Sequence, residues 1–567
     1  MEKQLFILKK VQNKKIRFFL FFAVIFLNIS ISSANNLSIT GLNCLNPGSA
    51  GPQLNFQISW SNCWNVIDAA NNDTLWDAVW VFVKYQNLNT SSSTLCDQSS
   101  TWSHAPMSSN YQDYSYPYPL QIDRVSDNKG IFIRRARSGT GDIPICSVTI
   151  ALNLPAGTYN FYIVGIEMAH VSTASFNLGD GTSTNSFSNN TISGEGALTS
   201  AALGGGLQAN IPAAYPKGYN GFYVMKYEIT QQQYVEFLNM LTYDQQAART
   251  AIAPNADPGV TGACAMVSTP TPCANRNGIK LIQRGVPGAN SIPAVYACDL
   301  NSNDNASPPP SDIFNNTSDG MTIAMNYLSW GDLLAYLEWA ALRPMTNFEY
   351  EKIARGQNAR VAGEYAWGST SLYQATSSAL SNGGQNSEVP TSMPQNGYCA
   401  YGSAVPADGP LRVGFAATSS TNRIQAACAY YGVQNLSGNV WEMVIGGSNA
   451  GGNGYKLTSS DVGVGALTAT GNNQHPNWQT YSSAPCTHSW HMELRGGSYK
   501  SASTTLRVSD RSQNSAACGG IAPMGFGDND DARLSDAGGR GVRQWKWNRP
   551  NFYAPYNDTQ SSSVTGE

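Results

Sequence analysis

Leu494-Arg495-Gly496-Gly497-Ser498-Tyr499, followed across eleven residues by Arg511-Ser512-Gln513-Asn514, is the stretch on which the reading of this 567-residue chain turns. Between the two halves runs Lys500-Ser501-Ala502-Ser503-Thr504-Thr505-Leu506-Arg507-Val508-Ser509-Asp510, which holds no cysteine. It therefore offers neither a thiolate nucleophile nor a soft metal ligand. Cys486 and Cys518 flank it and reach it only if the loops rearrange.

Working outward, the length exceeds what one hydrophobic core organises, so two or more domains are expected. Charged residues make up 13 %, Gly numbers 53, Tyr 28 and Trp 13, a mix that suits a loop-rich, β-leaning protein with an uncharged polar surface. With 42 % hydrophobic residues the bulk of the chain can bury a core and is not disordered. The formal net charge is −3 and no basic tract follows the N-terminus, which excludes nucleic-acid binding by charge.

Residues 1–34 read as a secretory signal. Lys3, Lys9, Lys10, Lys14, Lys15 and Arg17 precede the apolar run Phe18–Leu27, and Ser30, Ser32, Ser33 and Ala34 supply small residues for cleavage. The run is short for a membrane span, no other long apolar stretch follows, and the mature chain is expected to be exported without a transmembrane segment. The 11 cysteines fit an oxidising compartment, with Cys264–Cys273 and Cys44–Cys63 as expected local pairs and an odd thiol left over.

Leu54, Phe56, Ile58 and Trp60 alternate with polar residues, the period of a half-buried strand. Trp76–Tyr85 reads as a fully apolar strand, Asp127-Asn128-Lys129-Gly130 as a turn into Ile131–Arg135, and Cys146–Leu154 and Tyr159–Ile166 as two more strands. No helix pattern interrupts them, so residues 36–162 are expected to form a β-sandwich. Tyr111–Pro119 is either a sugar-stacking loop or packing over a sandwich edge. Beyond residue 163, helices are expected after Thr230-Gln231-Gln232-Gln233, from Ser329 to about Leu342, and from Thr346-Asn347-Phe348-Glu349 to Gly356, each opened by a capping pattern. Residues 244–320 and 369–425 are rich in Pro, Gly, Asn and Ser and are expected to be largely irregular.

An ordered set of motifs joins the opening stretch: Glu167–Gly179, Asn326–Asp332, Leu342–Glu351, Tyr365-Ala366-Trp367-Gly368, Gly432–Glu442 and Gly541-Val542-Arg543. Together they resemble the formylglycine-generating enzyme (sulfatase-modifying factor) family over residues 163–550. The resemblance implies a C-type-lectin-like domain poor in regular secondary structure, and an α+β fold for the whole chain. In catalytic members two cysteines beyond Gly-Gly-Ser-Tyr bind copper and perform the oxidation. Counting two and seven positions beyond Tyr499 gives Ser501 and Leu506. Ser498, Ser501 and Arg511 are then pocket candidates, without the reactive centre.

Asn435 and Glu442 offer side-chain oxygens, with backbone carbonyls between them, as a hard cation requires. The resemblance places calcium at Asn435, Gly438, Val440 and Glu442; the alternative is that Asn435 caps a turn and Glu442 pairs with an arginine. His488, His491 and Glu493 form a weak metal pattern, since neighbouring positions on an extended segment alternate faces. Asp528, Asp530, Asp531 and Asp536 form an acidic loop that is solvated or holds a second calcium.

These observations describe an exported protein: signal peptide 1–34, β-sandwich 36–162, sulfatase-modifying-factor-like domain 163–550 and polar tail 551–567. The expected function is noncatalytic binding of a glycan or protein partner, or a place in a surface assembly, with calcium and without copper. The alternative is a copper-dependent oxidoreductase converting a substrate cysteine to formylglycine.

Overall fold

A computed structural model of the protein describes residues 36–88, 101–109, 114–204, 210–259, 262–267, 273–301, 314–402, 409–446, 455–478, 492–513 and 532–544. The expected signal, residues 545–567 with the expected tail, Cys486, Cys518, His488, His491, Tyr111, Asp528, Asp530 and Asp531 lie outside the described residues.

The runs read as strands fall in β2 (Gln53–Asp68), β3 (Asp73–Asn87), β5 (Ile131–Arg135), β6 (Gly139–Ala151, which starts before the expected Cys146) and β7 (Tyr159–Val171), while β1 (Ser38–Cys44) and β4 (Leu120–Arg124) are strands that the sequence reading did not name. Further along come β8 (Phe222–Met225), β9 (Trp441–Ile445), β10 (Met492–Arg495) and β11 (Gly541–Gln544). One 12-stranded sheet runs through Arg343–Pro344, β11, β8, β7, β3, β2, β6 and Tyr114–Tyr116, with β1 on β2 and β5 on β3. Residues 162 and 163, where the sequence reading divides the chain, both fall inside β7, which pairs with β3 on one side and β8 on the other.

β3 explains how the two parts meet. Val79, Val81 and Val83 pack with Leu54, Phe56 and Ile58 of β2 in one core, the interior of the sandwich. Ala78, Trp80 and Phe82, on the opposite face, pack into a second core with the helices of the following domain. A strand buried on both faces carries no polar alternation, which is why this run reads as continuously apolar. Trp80 Nε1 donates to the Ala340 carbonyl at 2.9 Å, and Phe82 meets Trp339 edge-on at 5.3 Å. Lys84 Nζ donates to the carbonyls of Trp339 (2.6 Å) and Gly465 (2.8 Å).

The longer helices are α1 (Gln231–Leu238), α2 (Tyr243–Arg249), α3 (Trp330–Trp339) and α4 (Asn347–Arg355). Reciprocal capping boxes at Thr230/Gln233, Ser329/Asp332 and Thr346/Glu349 start α1, α3 and α4. α4 ends at Gly356, whose φ of 61° lies in the left-handed region and whose missing Cβ leaves room for the Tyr430 ring. α2 lies in the tract expected to be irregular and has its own capping box at Thr242/Gln245. Among the described residues no helix is long and apolar enough to cross a membrane.

The Cys264–Cys273 disulfide is present. The expected Cys44–Cys63 pair is not: both thiols are free. The ladders place Cys44 opposite Leu54 and Cys63 opposite Gly141. Leu54 and Cys63 are nine residues apart along β2, about 25–30 Å, far beyond the ~7 Å that a disulfide spans between Cα atoms.

Candidate functional site

Three separated motifs converge on β9. β10 pairs antiparallel with it, Glu442 opposite Arg495 and Val444 opposite Glu493, while Ala537 runs parallel opposite Trp441. The turns lock to one another: Gly438 N–H donates to the Gly496 carbonyl and Tyr499 N–H to that of Asn439, each at 2.8 Å, and Trp441 N–H to that of Asp536 at 2.9 Å. Gly497 has φ 71°, and a Cβ there would lie 2.6 Å from Leu506, so the second glycine lets this turn close over the core.

The turn that follows gathers hydroxyls. Ser498 Oγ donates to Asp536 Oδ2 at 2.6 Å and lies 3.0 Å from Ser501 Oγ, which accepts from Ser498 N–H at 2.8 Å. Lys500 Nζ donates to Ser535 Oγ at 2.5 Å, and Tyr499 Oη to the Ser535 carbonyl at 3.2 Å. Ser498 is fully buried and Ser501 partly exposed, so the cluster lies just beneath the surface. Asp536, read from sequence as part of an acidic loop, is thus a partner of Ser498. Leu506, the other position aligned with a reactive thiol, is buried in a second hydrophobic cluster, and its carbonyl accepts from Ser437 Oγ at 2.7 Å.

Arg511 occupies a different setting. It is fully buried, its Nε and Nη2 donating to Glu493 at 3.1 and 2.9 Å, and its guanidinium lies 4.0 Å from the Phe187 ring centroid. Glu493 also accepts from Asn347 (2.5 Å), whose Oδ1 accepts from Arg495. Arg495 donates to Glu351 at 3.1 Å, and Glu351 also takes Arg355 at 3.0 Å and the Ser509 hydroxyl at 3.2 Å. Arg355 continues to Glu364 at 2.5 Å. Burial pushes the Glu493 carboxyl up, but Arg511 and Asn347 outweigh it and hold it below its ordinary value. The segment therefore rests on a sealed lattice of paired charges. Sequence reading missed this lattice because its acids and bases are up to 144 residues apart and follow no local pattern. Glu493, part of the weak His/Glu metal pattern, is committed here.

In the Asn435–Glu442 segment the partners are those of the alternative reading, a turn contact for Asn435 and an arginine for Glu442. Asn435 has φ 60° and its Oδ1 accepts from Gly414 N–H at 2.7 Å. Glu442 Oε1 takes Arg540 Nε at 2.6 Å, while its Oε2 is buried without a hydrogen-bond partner. Glu228 reaches in from the strand side, accepting from Asn439 Nδ2 at 2.8 Å and Val440 N–H at 3.2 Å. Burial, reinforced by the Glu442 charge against the pull of Arg540, pushes Glu228 up to about 8. Two carboxylates thus share one guanidinium in a sealed place. One oxygen, Glu442 Oε2, is left uncommitted, and oxygen is the donor type that a hard cation takes.

Among the described residues no group of three or more His, Cys, Asp or Glu is placed to hold a metal ion. Cys399 and Cys428 are buried, and burial pushes the Cys428 thiol up to about 11 and Cys399 also upward, which makes both inert.

A family described as "Sulfatase-modifying factor enzyme 1-like domain" matches residues 193–526, 334 of the 567. The match contains the Gly432–Glu442 motif, the hydroxyl turn and Arg511, and stops short of β7 and β11, which complete the sheet beneath them. No curated protein matches the chain.

Proposed function

We propose, from the premise that this chain belongs to the sulfatase-modifying factor enzyme 1-like family, that it is an exported, noncatalytic member. On this reading it binds a glycan or protein partner through the loops around residues 498–540. The observation that carries this reading is the state of the two aligned thiol positions. Ser501 is tied by hydrogen bonds to Ser498, and Leu506 faces the core. A hydroxyl is a hard, weak ligand for copper(I) and leucine is none. What the turn offers is a hydrogen-bonding surface of Ser501, Lys500 and Asp536, held from beneath by the buried Ser498.

Asn435, Gly438, Val440 and Glu442 would hold calcium. The ion would supply positive charge beside the buried Glu442 and Glu228 carboxyl groups, fixing the turns that carry the hydroxyl groups. Calcium titration with thermal melting tests this: the midpoint rises with calcium and falls back with chelator, and the rise is absent in Glu442→Gln.

The decisive experiment incubates the purified chain with a Cys-x-Pro-x-Arg peptide, copper, oxygen and a thiol reductant, beside an active family enzyme. An unchanged peptide mass is expected. A copper-dependent aldehyde product would overturn the noncatalytic reading and return attention to Cys486 and Cys518. Export is tested by N-terminal sequencing of the protein recovered outside the cell, where cleavage near Ala34 is expected.

A further inference from the structure

The outer layer of the sandwich presents a second surface, remote in sequence from the turn at 498. Its strands run in the order β1, β2, β6 and the edge strand Tyr114–Tyr116. Leu54, Phe56 and Ile58 face the core, so the residues between them face outward. The ladders align one outward row across all four strands: Thr40 opposite Gln57, Gln57 opposite Ser147, and Ser147 opposite Tyr116. At ordinary strand spacing the row extends about 14 Å.

None of its side chains is acidic or basic, Gln57 is exposed, and Tyr116 at the rim is 73 % exposed. Ile145, beside Ser147, is 64 % exposed. The row is also fixed from the side. Asn55 Nδ2 donates to Ser147 Oγ at 2.8 Å and to Thr149 Oγ1 at 2.8 Å. With its oxygen already accepting, the Ser147 hydroxyl has its own proton left to donate.

We propose that this face is a binding platform for a neutral oligosaccharide. A flat array of amides and hydroxyls matches sugar hydroxyls in both donor and acceptor sense, and Tyr116 and Ile145 offer apolar surface to the C–H face of a pyranose ring. The lack of charge within this row of described residues argues against anionic glycans and charged peptides, whose capture needs complementary ions. The platform is independent of the ligand proposed for the 498–540 loops.

The test is affinity electrophoresis of the full exported chain through gels containing uncharged polysaccharides (β-glucans, mannans, xylans and galactomannans), with isothermal titration of the matching oligosaccharides. Retardation by at least one neutral polymer is expected, unchanged when salt rises to about 0.5 M, because no ion pair is there to screen. Gln57→Ala with Tyr116→Ala should weaken binding about tenfold or more. Both positions are exposed, and an unchanged thermal melt certifies the fold. Tyr373→Ala, an exposed aromatic of the other domain, should bind as the parent does. The proposal is overturned if no neutral polymer in the panel binds, if binding survives the double variant, or if only anionic polymers bind and salt releases them. It is equally overturned if sedimentation shows a dimer that those two substitutions dissolve, since the face would then belong to a second copy.

Discussion

The two sides of the segment 493–511 make opposite use of charge. Inward, Glu493, Arg495 and Arg511 join Asn347, Glu351, Arg355 and Glu364 in a sealed lattice in which every ion has an opposite partner. Outward, Ser498 and Ser501 form a neutral hydroxyl turn against Asp536. The lattice fixes where the segment goes, and the turn decides what it can do. Because they share few atoms, the reactive groups can be lost while the scaffold stays intact. On the proposed noncatalytic reading, the frame is kept and the thiols are replaced.

The comparison predicts unequal sensitivities. Glu351→Leu should cost the most, about 3–5 kcal/mol in urea unfolding, because Arg355 and Arg495 both lose a buried partner. A loss below ~1 kcal/mol would mean that the lattice is redundant and the contrast false. Glu493→Gln should cost about 2–3 kcal/mol at pH 7 by leaving Arg511 without a counter-charge. Its pH dependence has a definite sign. The folded carboxyl lies below its ordinary value of 4.5, so its contribution is present above pH 4.5 and disappears as pH falls through the lowered value. The gap between parent and variant should therefore narrow in acid, and a gap that widens there would contradict the assignment.

Restoring thiols sharpens the contrast further. Leu506→Cys removes core volume and should cost about 2 kcal/mol, whereas Ser501→Cys, at a partly exposed position, should cost under ~1 kcal/mol. Equal costs by chemical denaturation would show that Leu506 is not core. Ser498→Ala should cost about 1 kcal/mol for the hydrogen bond to Asp536, far less than the lattice substitutions. A cost matching that of Glu351→Leu would make the turn part of the scaffold.

How far the sequence carried depended on how local each cause was. β5 occupies Ile131–Arg135, as the turn before it and its apolar pattern require. The capping boxes at Thr230, Ser329 and Thr346 were legible because donor and acceptor lie three residues apart. α2 was not, although Thr242 and Gln245 carry the same signal. It is seven residues long, and its buried Arg249 is satisfied by Asp332 at a separation of 83 residues. Cys44 and Cys63 looked like neighbours in number, yet register along β2 holds them apart. At the candidate site, Ser498 and Ser501 were found by motif. The partnership of Ser498 with Asp536, across 38 residues, needed the fold. For Glu442 the motif gave the donor, and only the structure supplied Arg540 on one oxygen and an uncommitted second oxygen.

β3 has a consequence for anyone who would separate the chain into pieces. Cutting between residues 162 and 163 divides β7, and removing what precedes the cut strips Trp80, Phe82 and Phe132 from the second domain's interior. The remainder would display a wide apolar face where those rings had been, of the kind that drives aggregation. The N-terminal layers are in this sense an internal chaperone surface that never departs. Their deletion is a core mutation on the scale of a whole sheet.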